Sequence, residues 1–167
     1  MKANMVKIER ARVEEAQEIK QVLSETWVDT YGPFLSQETI RKVTSAWHDP
    51  KLLASQIKDP GIFFGVAKDE NDRILGLVTA RKRDTDTVVI FRLYVHPQHQ
   101  RKGIGSRLLE EAALAFSGAR RIQLEIEEQN HKGLAFYLKQ GFTEIGRKEE
   151  RVEDEVLKVI EMEKRLT

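Results

Sequence analysis

Residues 93–109, LYVHPQHQRKGIGSRLL, join an apolar strand to an amphipathic helix through a proline and a glycine-containing turn. The first backbone N–H groups of a helix have no partner within the helix, and the helix macrodipole is positive at this end. An anion placed there gains several hydrogen-bond donors at once. Gly103 and Gly105 have no Cβ and let the backbone approach a diphosphate closely. The junction therefore predicts a phosphate-binding loop.

Two common phosphate-binding loops do not fit this turn. A dinucleotide fingerprint requires a third glycine three positions after the second, and this chain has Leu108 there. Glu125 does lie about twenty residues further on, where a ribose-binding acid is expected, but the turn is in the middle of the chain rather than in an opening βαβ unit. A P-loop requires Gly-Lys-Ser/Thr after a glycine-rich loop, which the turn lacks.

A second block, residues 125–142, reads EIEEQNHKGLAFYLKQGF and predicts a strand, a loop, a helix ended by glycine, and a new strand. Together the two blocks resemble the GNAT superfamily of N-acetyltransferases. The first matches its coenzyme loop Q-x-x-G-x-G, and the second matches N-x-x-A-x-x-x-Y-x-K-x-G-F at Asn130, Tyr137, Lys139, Gly141 and Phe142. The motif alanine corresponds to Leu134 or Ala135, depending on register. The resemblance covers roughly residues 90–145.

The resemblance implies an α+β fold over residues 1–167 as one domain. We expect a mixed, mostly antiparallel sheet of about seven strands flanked by helices, with one parallel strand pair splayed at the cofactor site. Acetyl-CoA is the implied acyl donor. The cofactor-binding residues expected from it are Leu93, Tyr94, Val95, Gln100, Arg101, Lys102, Gly103, Ile104, Gly105, Ser106, Asn130, Tyr137 and Lys139.

The implied reaction is direct attack of a primary amine on the thioester in a ternary complex, without a covalent intermediate. Tyr137 is the expected proton donor to the thiolate, since a phenol has an ordinary pKa of about 10. Glu125 is the first candidate base; it precedes Tyr137 by twelve positions, as in the acid–base pair of ribosomal-protein alanine N-acetyltransferases. Glu127 lies on the same strand face and is the reserve.

Many superfamily members carry a glutamate some fourteen positions before the first loop glycine, where this chain has Val89. This departure leaves Glu125, a water relay or the Tyr31 hydroxyl to act as base. It also motivates an alternative from another class, a non-catalytic acyl-CoA-binding sensor. The resemblance further implies a β-bulge near Val95 that turns a backbone N–H toward the oxyanion.

The acceptor groove is expected near the end of the first helix, at Trp27, Asp29 and Tyr31. Residues 25–31, ETWVDTY, look somewhat like the front of diamine and polyamine acetyltransferases. The acceptor is accordingly a small polyamine-like amine or a protein N-terminus. An acid-rich groove would favour the polyamine, and a long open channel would favour the N-terminus.

The composition favours a small enzyme. Lys and Arg number 28 against 27 Asp and Glu, so no overall field attracts nucleic acid or an anionic membrane. The chain has no cysteine, no apolar run long enough to span a membrane and no leader pattern, which predicts a cytoplasmic protein. The histidines lack metal-ligand spacing, so no metal is expected. The strand edges and helix faces are compatible with a homodimer.

Hydrophobic periodicity predicts the remaining elements. Ser36 is expected to cap a helix with Ile40, Val43 and Trp47 on one face. Strands are expected over residues 6–10, 62–67, 73–81, 87–95 and 123–127, and helices over 13–30, 50–57 and from Ile104 to near Gly118. Residues 142–148 and 156–163 are expected to form a hairpin with a charged tip between them.

Overall fold

The computed structural model describes residues 5–166. The five α-helices in this range are α1 (Ala16–Tyr31), α2 (Gln37–Trp47), α3 (Pro50–Lys58), α4 (Ile104–Leu114) and α5 (His131–Lys139). Its seven strands are β1 (Lys7–Arg10), β2 (Ile62–Lys68), β3 (Ile74–Lys82), β4 (Thr87–Val95), β5 (Arg121–Glu127), β6 (Thr143–Val152) and β7 (Glu155–Arg165).

The strands form one sheet in the order β1-β2-β3-β4-β5-β7-β6. Neighbours are antiparallel except β4 and β5, whose pairing is parallel because the α4 crossover joins them. This parallel pairing covers only Thr87–Val89 against Arg121–Gln123, after which the two strands separate. The mixed sheet expected from the sequence is confirmed, and its splayed pair opens beside the predicted phosphate loop.

Helices cover both faces of the sheet, which is why β2 is buried along its whole length. One face packs against α4 through Ile104, Leu108, Leu109 and Ala112. The other face packs against α1 and α3 through Ile19, Leu23 and Leu53. A third cluster joins α1 and α2 to the hairpin through Trp27, Leu35, Ile40, Val43 and Val152.

Side-chain caps set the beginnings of three helices. The Ser36 hydroxyl accepts a hydrogen bond from the Thr39 backbone N–H, as the sequence predicted. Asp49 caps α3 ahead of Pro50, and Asn130 caps α5 by accepting from the Gly133 N–H. The last of these caps fixes α5 at the edge of the opening between β4 and β5.

Three sequence-based expectations were wrong in detail. Residues 13–15 form a 3₁₀ turn before α1, and α4 ends at Leu114 rather than near Gly118, which lies in the following loop with a φ of 84°. The charged segment expected at the hairpin tip continues both strands, because cross-strand pairing from Glu149 to Lys158 accommodates charges on exposed positions. Trp47, the last residue of α2, is 44% exposed, and its ring packs edge-on against Trp27 with centroids 5.9 Å apart.

None of the helices described between residues 5 and 166 is long and apolar enough to cross a membrane. Over the same residues, no group of three or more His, Cys, Asp or Glu side chains is placed to hold a metal ion.

Candidate active site

The predicted phosphate loop connects the end of β4 to the beginning of α4. Pro97–His99 form a single 3₁₀ turn, and Arg101 and Gly103 adopt left-handed φ angles of 65° and 80°. A Cβ added at Gly103 would have no atom within 4 Å, so open space lies before the first amides of α4. This space and these amides fit a diphosphate group. Arg101 and Lys102 are exposed beside it.

Several predicted cofactor residues also hold the loop in place. The Gln100 side-chain Nε2 donates to the Val95 carbonyl oxygen at 2.9 Å and closes the loop onto the end of the strand. A Cβ at Gly105 would lie 3.3 Å from the Phe136 ring, so this glycine allows α4 to approach α5 closely. The Ser106 hydroxyl accepts from Gln140 Nε2 at 2.8 Å, which links the same two helices. Lys139 is exposed at the end of α5.

A cleft of about 330 Å³ opens where β4 and β5 separate. Leu93 and Tyr94 of β4, Glu125 and Glu127 of β5, and Asn130 and Tyr137 at α5 line it, together with Trp27, Tyr31 and Trp47 from the helices. The cleft therefore brings together residues that the sequence assigned separately to the cofactor, the acceptor and catalysis.

Tyr137 is a half-buried side chain of α5 that lines this cleft. Its ring packs edge-on against Phe136 and Phe142, with centroids 5.1 and 5.5 Å away. Burial raises the pKa of Tyr137, and the nearby Tyr94 raises it further. The phenol is therefore protonated at neutral pH and able to donate a proton.

Two further phenols lie on the same cleft. Burial raises the pKa of Tyr94, while the neighbouring Trp27 and Tyr31 side chains lower it. Burial also raises the pKa of Tyr31 well above its ordinary value, with smaller contributions from Tyr94, Tyr137 and Glu127. The Tyr31 ring lies 4.2 Å from that of Trp27. Because a neutral phenol has little basicity, these surroundings weigh against Tyr31 as the base.

The two candidate carboxylates of β5 face the cleft, while Ile122, Leu124 and Ile126 point into the core. Their surroundings differ. Glu125 has a side chain 43% exposed, and its Oε2 lies 2.6 Å from Lys148 Nζ. Glu127 is only 4% exposed and accepts hydrogen bonds from the Gln129 backbone N–H.

The β-bulge lies at Phe91, not near Val95. Thr79 pairs with Arg92 and Ala80 with Ile90, so Phe91 is the extra residue, while Leu93–Val95 pair regularly with β3. A bulge at this position changes which side chains face the cleft, placing both Phe91 and Arg92 on its wall. The expected role of the Val95 region in holding the oxyanion therefore loses its structural basis. Val89, where many superfamily members have a glutamate, also lines the cleft.

The sequence did not reveal Arg92 as a cleft residue. This arginine is 8% exposed and donates to Gln56 Oε1 at 2.7 Å and to the Trp47 carbonyl oxygen at 3.1 Å. The Trp47 carbonyl is at the C-terminus of α2, where the helix dipole favours a cation. The neighbouring His48 is buried, and burial together with Arg92 lowers its pKa to about 3. Arg92 therefore joins α2 and α3 to β4; no local spacing signal marks it.

One predicted acceptor residue does not reach the cleft: Asp29 is exposed on α1 and is not among the cleft-lining residues of the described chain. Glu25, in the same segment, instead contacts the end of β4, because His96 Nε2 lies 2.7 Å from its Oε1. His96 Nδ1 accepts from the Gln98 N–H, so Nε2 carries the proton and donates to Glu25. This contact fixes α1 beside the phosphate loop.

A helix start with open space for an anion, beside a cleft between splayed parallel strands, is typical of an acyl-CoA-dependent transferase. Residues 18–142 match the sequence model described as the acetyltransferase (GNAT) family. The chain belongs to this family, and the predicted N-acetyltransferase enzyme class is confirmed.

The similarity to relatives of known activity covers most of the chain. It is 27% identical over 144 residues to spermidine N(1)-acetyltransferase of Thermoplasma acidophilum, covering 82% of this chain and 88% of the relative. The fold matches the crystal structure of PaiA N-acetyltransferase from T. acidophilum in complex with coenzyme A, with a TM-score of 0.82, 24% identity and coverage of 96% and 99%. It also matches the Escherichia coli ribosomal-protein-S18-alanine N-acetyltransferase, with a TM-score of 0.73, 18% identity and coverage of 98% and 95%.

Proposed function

We propose that this chain works as a single N-acetyltransferase domain, which moves an acetyl group from acetyl-CoA to a primary amine by direct attack in a ternary complex. The observation that carries the proposal is the shared cleft: the strand leading to the phosphate loop, the Tyr137 phenol and the β5 carboxylates all line it. Acetyl-CoA supplies a thioester whose thiolate is displaced by the amine. The protein has to bind the diphosphate, hold the amine and move two protons.

The backbone amides at the start of α4 would hold the diphosphate, with Arg101 and Lys102 adding positive charge beside them. Tyr137 donates its proton to the departing thiolate, since burial keeps the phenol protonated until then.

Glu125 accepts the proton from the amine in this proposal, because it faces the cleft from β5 at twelve positions before Tyr137. Its carboxylate already holds an ammonium, that of Lys148, at 2.6 Å. The same carboxylate can thus hold an acceptor ammonium before deprotonation. Glu127 stays the reserve, since its oxygens are engaged by the Gln129 N–H.

The acceptor is proposed to be a small polyamine-like molecule. Four glutamates line the described cleft, at positions 125, 127, 150 and 161, against two arginines at positions 83 and 92. Arg92 is occupied with the end of α2, and Arg83 donates to the side chain of Gln123. The available charge of the cleft is therefore negative, which suits a polycation. A relative named spermidine N(1)-acetyltransferase supports the same choice, and a protein N-terminus is the alternative.

The test follows free thiol released from acetyl-CoA in the presence of monoamines, diamines, triamines and a peptide with a free N-terminus. We expect release with diamines or triamines.

Tyr137→Phe should lower kcat about 10- to 100-fold and leave the dissociation constant for coenzyme A nearly unchanged, because the hydroxyl acts on the leaving group. Equal losses in kcat and in coenzyme affinity would show a structural hydroxyl.

Glu125→Gln and Glu127→Gln form a matched pair for the base. Glu125→Gln should cause the larger loss of kcat at neutral pH, and a larger loss in Glu127→Gln would transfer the role to the reserve residue. Tight coenzyme binding without thiol release for any amine would instead favour the non-catalytic sensor.

A further inference from the structure

Lys148 contacts a glutamate of the cleft wall, Glu125, without being one of the lining residues of the described cleft. It lies on β6, and its Nζ is 2.6 Å from Glu125 Oε2. The hydrogen bond to Glu125 raises the pKa of Lys148, and the charges of Glu125, Glu150 and Glu161 raise it further. All three glutamates line the cleft, so the ammonium of Lys148 serves as counter-ion to a set of substrate-facing carboxylates.

The sheet brings these carboxylates together against their mutual repulsion. Glu125 on β5 and Glu161 on β7 are direct cross-strand partners, an arrangement that is unfavourable for like charges. Gly146 pairs with Glu161 on the other side, and a Cβ at Gly146 would lie 2.7 Å from Glu161 Oε1. The glycine thus leaves room for the Glu161 carboxylate to lie against the sheet.

A separate observation indicates that this cleft is built for a polar ligand. Trp27 lines it and is only 4% exposed, and its indole Nε1 makes no hydrogen bond of normal geometry among the described residues, although the Tyr94 hydroxyl lies beside it and the Trp27 side chain lowers the pKa of Tyr94. A ligand or water that accepts from the indole N–H would complete its hydrogen bonding. Trp27 and Tyr31 also line the cleft with aromatic rings 4.2 Å apart, and aromatic rings are suited to contact with an alkylammonium group.

We infer that the Lys148 ammonium occupies the place of one ammonium of the acceptor, so that the acceptor must displace it from Glu125 to bind. This inference rests on the proposed function. An exposed ion pair is weak, and the 44% exposed Lys148 can swing into solvent at little cost. An acceptor with one ammonium exchanges only one cation for another. An acceptor with two or more also satisfies the remaining carboxylates, so Lys148 makes the site selective for polycations.

Lys148→Met tests the inference, since it keeps the aliphatic stem and removes the ammonium. We expect the KM to fall about tenfold for a monoamine and by a smaller factor for a diamine. The ratio of the monoamine KM to the diamine KM should therefore be smaller in the variant than in the wild type. The KM for acetyl-CoA should not change. Lys148→Arg should behave like the wild type, because it keeps the cation. Lys158→Met is the matched control: Lys158 is exposed on β7 between two cleft-facing residues and so points away from the cleft.

The double variant Lys148→Met/Glu161→Gln should return the acceptor KM toward the wild-type value, because it removes one of the carboxylates that Lys148→Met sets free. Calorimetric titration of a diamine into the coenzyme A complex gives a readout without turnover, with tighter binding expected for Lys148→Met. An unchanged or higher acceptor KM and an unchanged dissociation constant in Lys148→Met would overturn the inference while the wild type still acetylates amines. If the wild type acetylates no amine, the proposed function fails, and the titration alone decides whether Lys148 competes with a bound cation.

Discussion

Gly103 is the residue on which we expect coenzyme binding to depend most directly. Its φ of 80° is in the left-handed region, and the space where a Cβ would lie is open. A side chain there would strain the backbone and project into the space expected for the diphosphate.

Gly103→Val should therefore weaken coenzyme A binding at least tenfold, as measured by calorimetric titration. Gly118 provides a matched control, because it has a φ of 84°, an equally open Cβ position and a place in the loop at the far end of α4. Gly118→Val should lower the free energy of unfolding by about 1–2 kcal/mol, as much as Gly103→Val does, because both strain a left-handed backbone. Unlike Gly103→Val, it should leave coenzyme affinity intact. Unimpaired binding in Gly103→Val would mean that the diphosphate lies elsewhere.

At the scale of elements, an ion-pair network joins β2 to the 3₁₀ turn before α1. Lys68 is 1% exposed and contacts the carboxylate of Glu15, which is 8% exposed. Glu9 on β1 is a second partner at 3.3 Å and is 41% exposed. Burial raises the pKa of Glu15, but the hydrogen bond and charge of Lys68, together with Arg12, outweigh it and lower this pKa overall.

Glu15→Gln should lower the free energy of unfolding by about 3 kcal/mol, because it leaves a buried lysine without its main partner. Glu9→Gln, which removes the more exposed partner, should cost about 1 kcal/mol or less. Urea denaturation at pH 7 compares the two. Similar losses of unfolding free energy in the two variants would show that burial does not strengthen the Lys68–Glu15 ion pair.

The same network predicts a pH dependence. Since the folded-state pKa of Glu15 is below its ordinary value of 4.5, its contribution is fully present above pH 4.5 and is lost as the pH falls through the folded-state value. Wild-type stability should therefore decline more steeply below pH 4.5 than that of Glu15→Gln.

For the whole molecule, the separation of β4 from β5 decides where ligands bind. Only three residue pairs join these strands, and the sheet depends on α4, α5 and the hairpin to close around the gap. A ligand that spans the phosphate loop and the cleft contacts elements from both halves of the sheet and should stabilise the molecule as a unit.

Coenzyme A at about 100 times its dissociation constant should stabilise the folded state by about 2.7 kcal/mol, which corresponds to a rise in Tm of about 5–10 °C for a chain of this size. NAD at the same concentration should produce no comparable shift in a thermal scan, because the turn lacks the third glycine of a dinucleotide loop. Stabilisation by NAD and not by coenzyme A would reverse the assignment of the loop.

Local sequence was sufficient for the order of the elements and for the prediction of a phosphate loop. The strand, proline, glycines and helix of residues 93–109 are contiguous, and backbone geometry together with helix electrostatics predicts an anion site in such a segment. The twelve-position spacing of Glu125 and Tyr137 likewise predicted that the two side chains belong to one site, and both line the cleft. The β4 strand and the parallel pairing of β5 followed from hydrophobic patterning and the length of the crossover.

Only tertiary structure decided what faces the cleft. A single extra residue at Phe91 reverses the alternation of β4 and brings Arg92 under α2, and no local pattern indicates a bulge at that position. Trp47 and Glu161 line the cleft from elements distant in sequence, and Lys148 contacts Glu125 from β6. These contacts depend on the register of β6 and β7 and on the end of α2. Spacing along a chain constrains residues within one element or in consecutive elements, whereas the acceptor side of this site forms between elements distant in sequence.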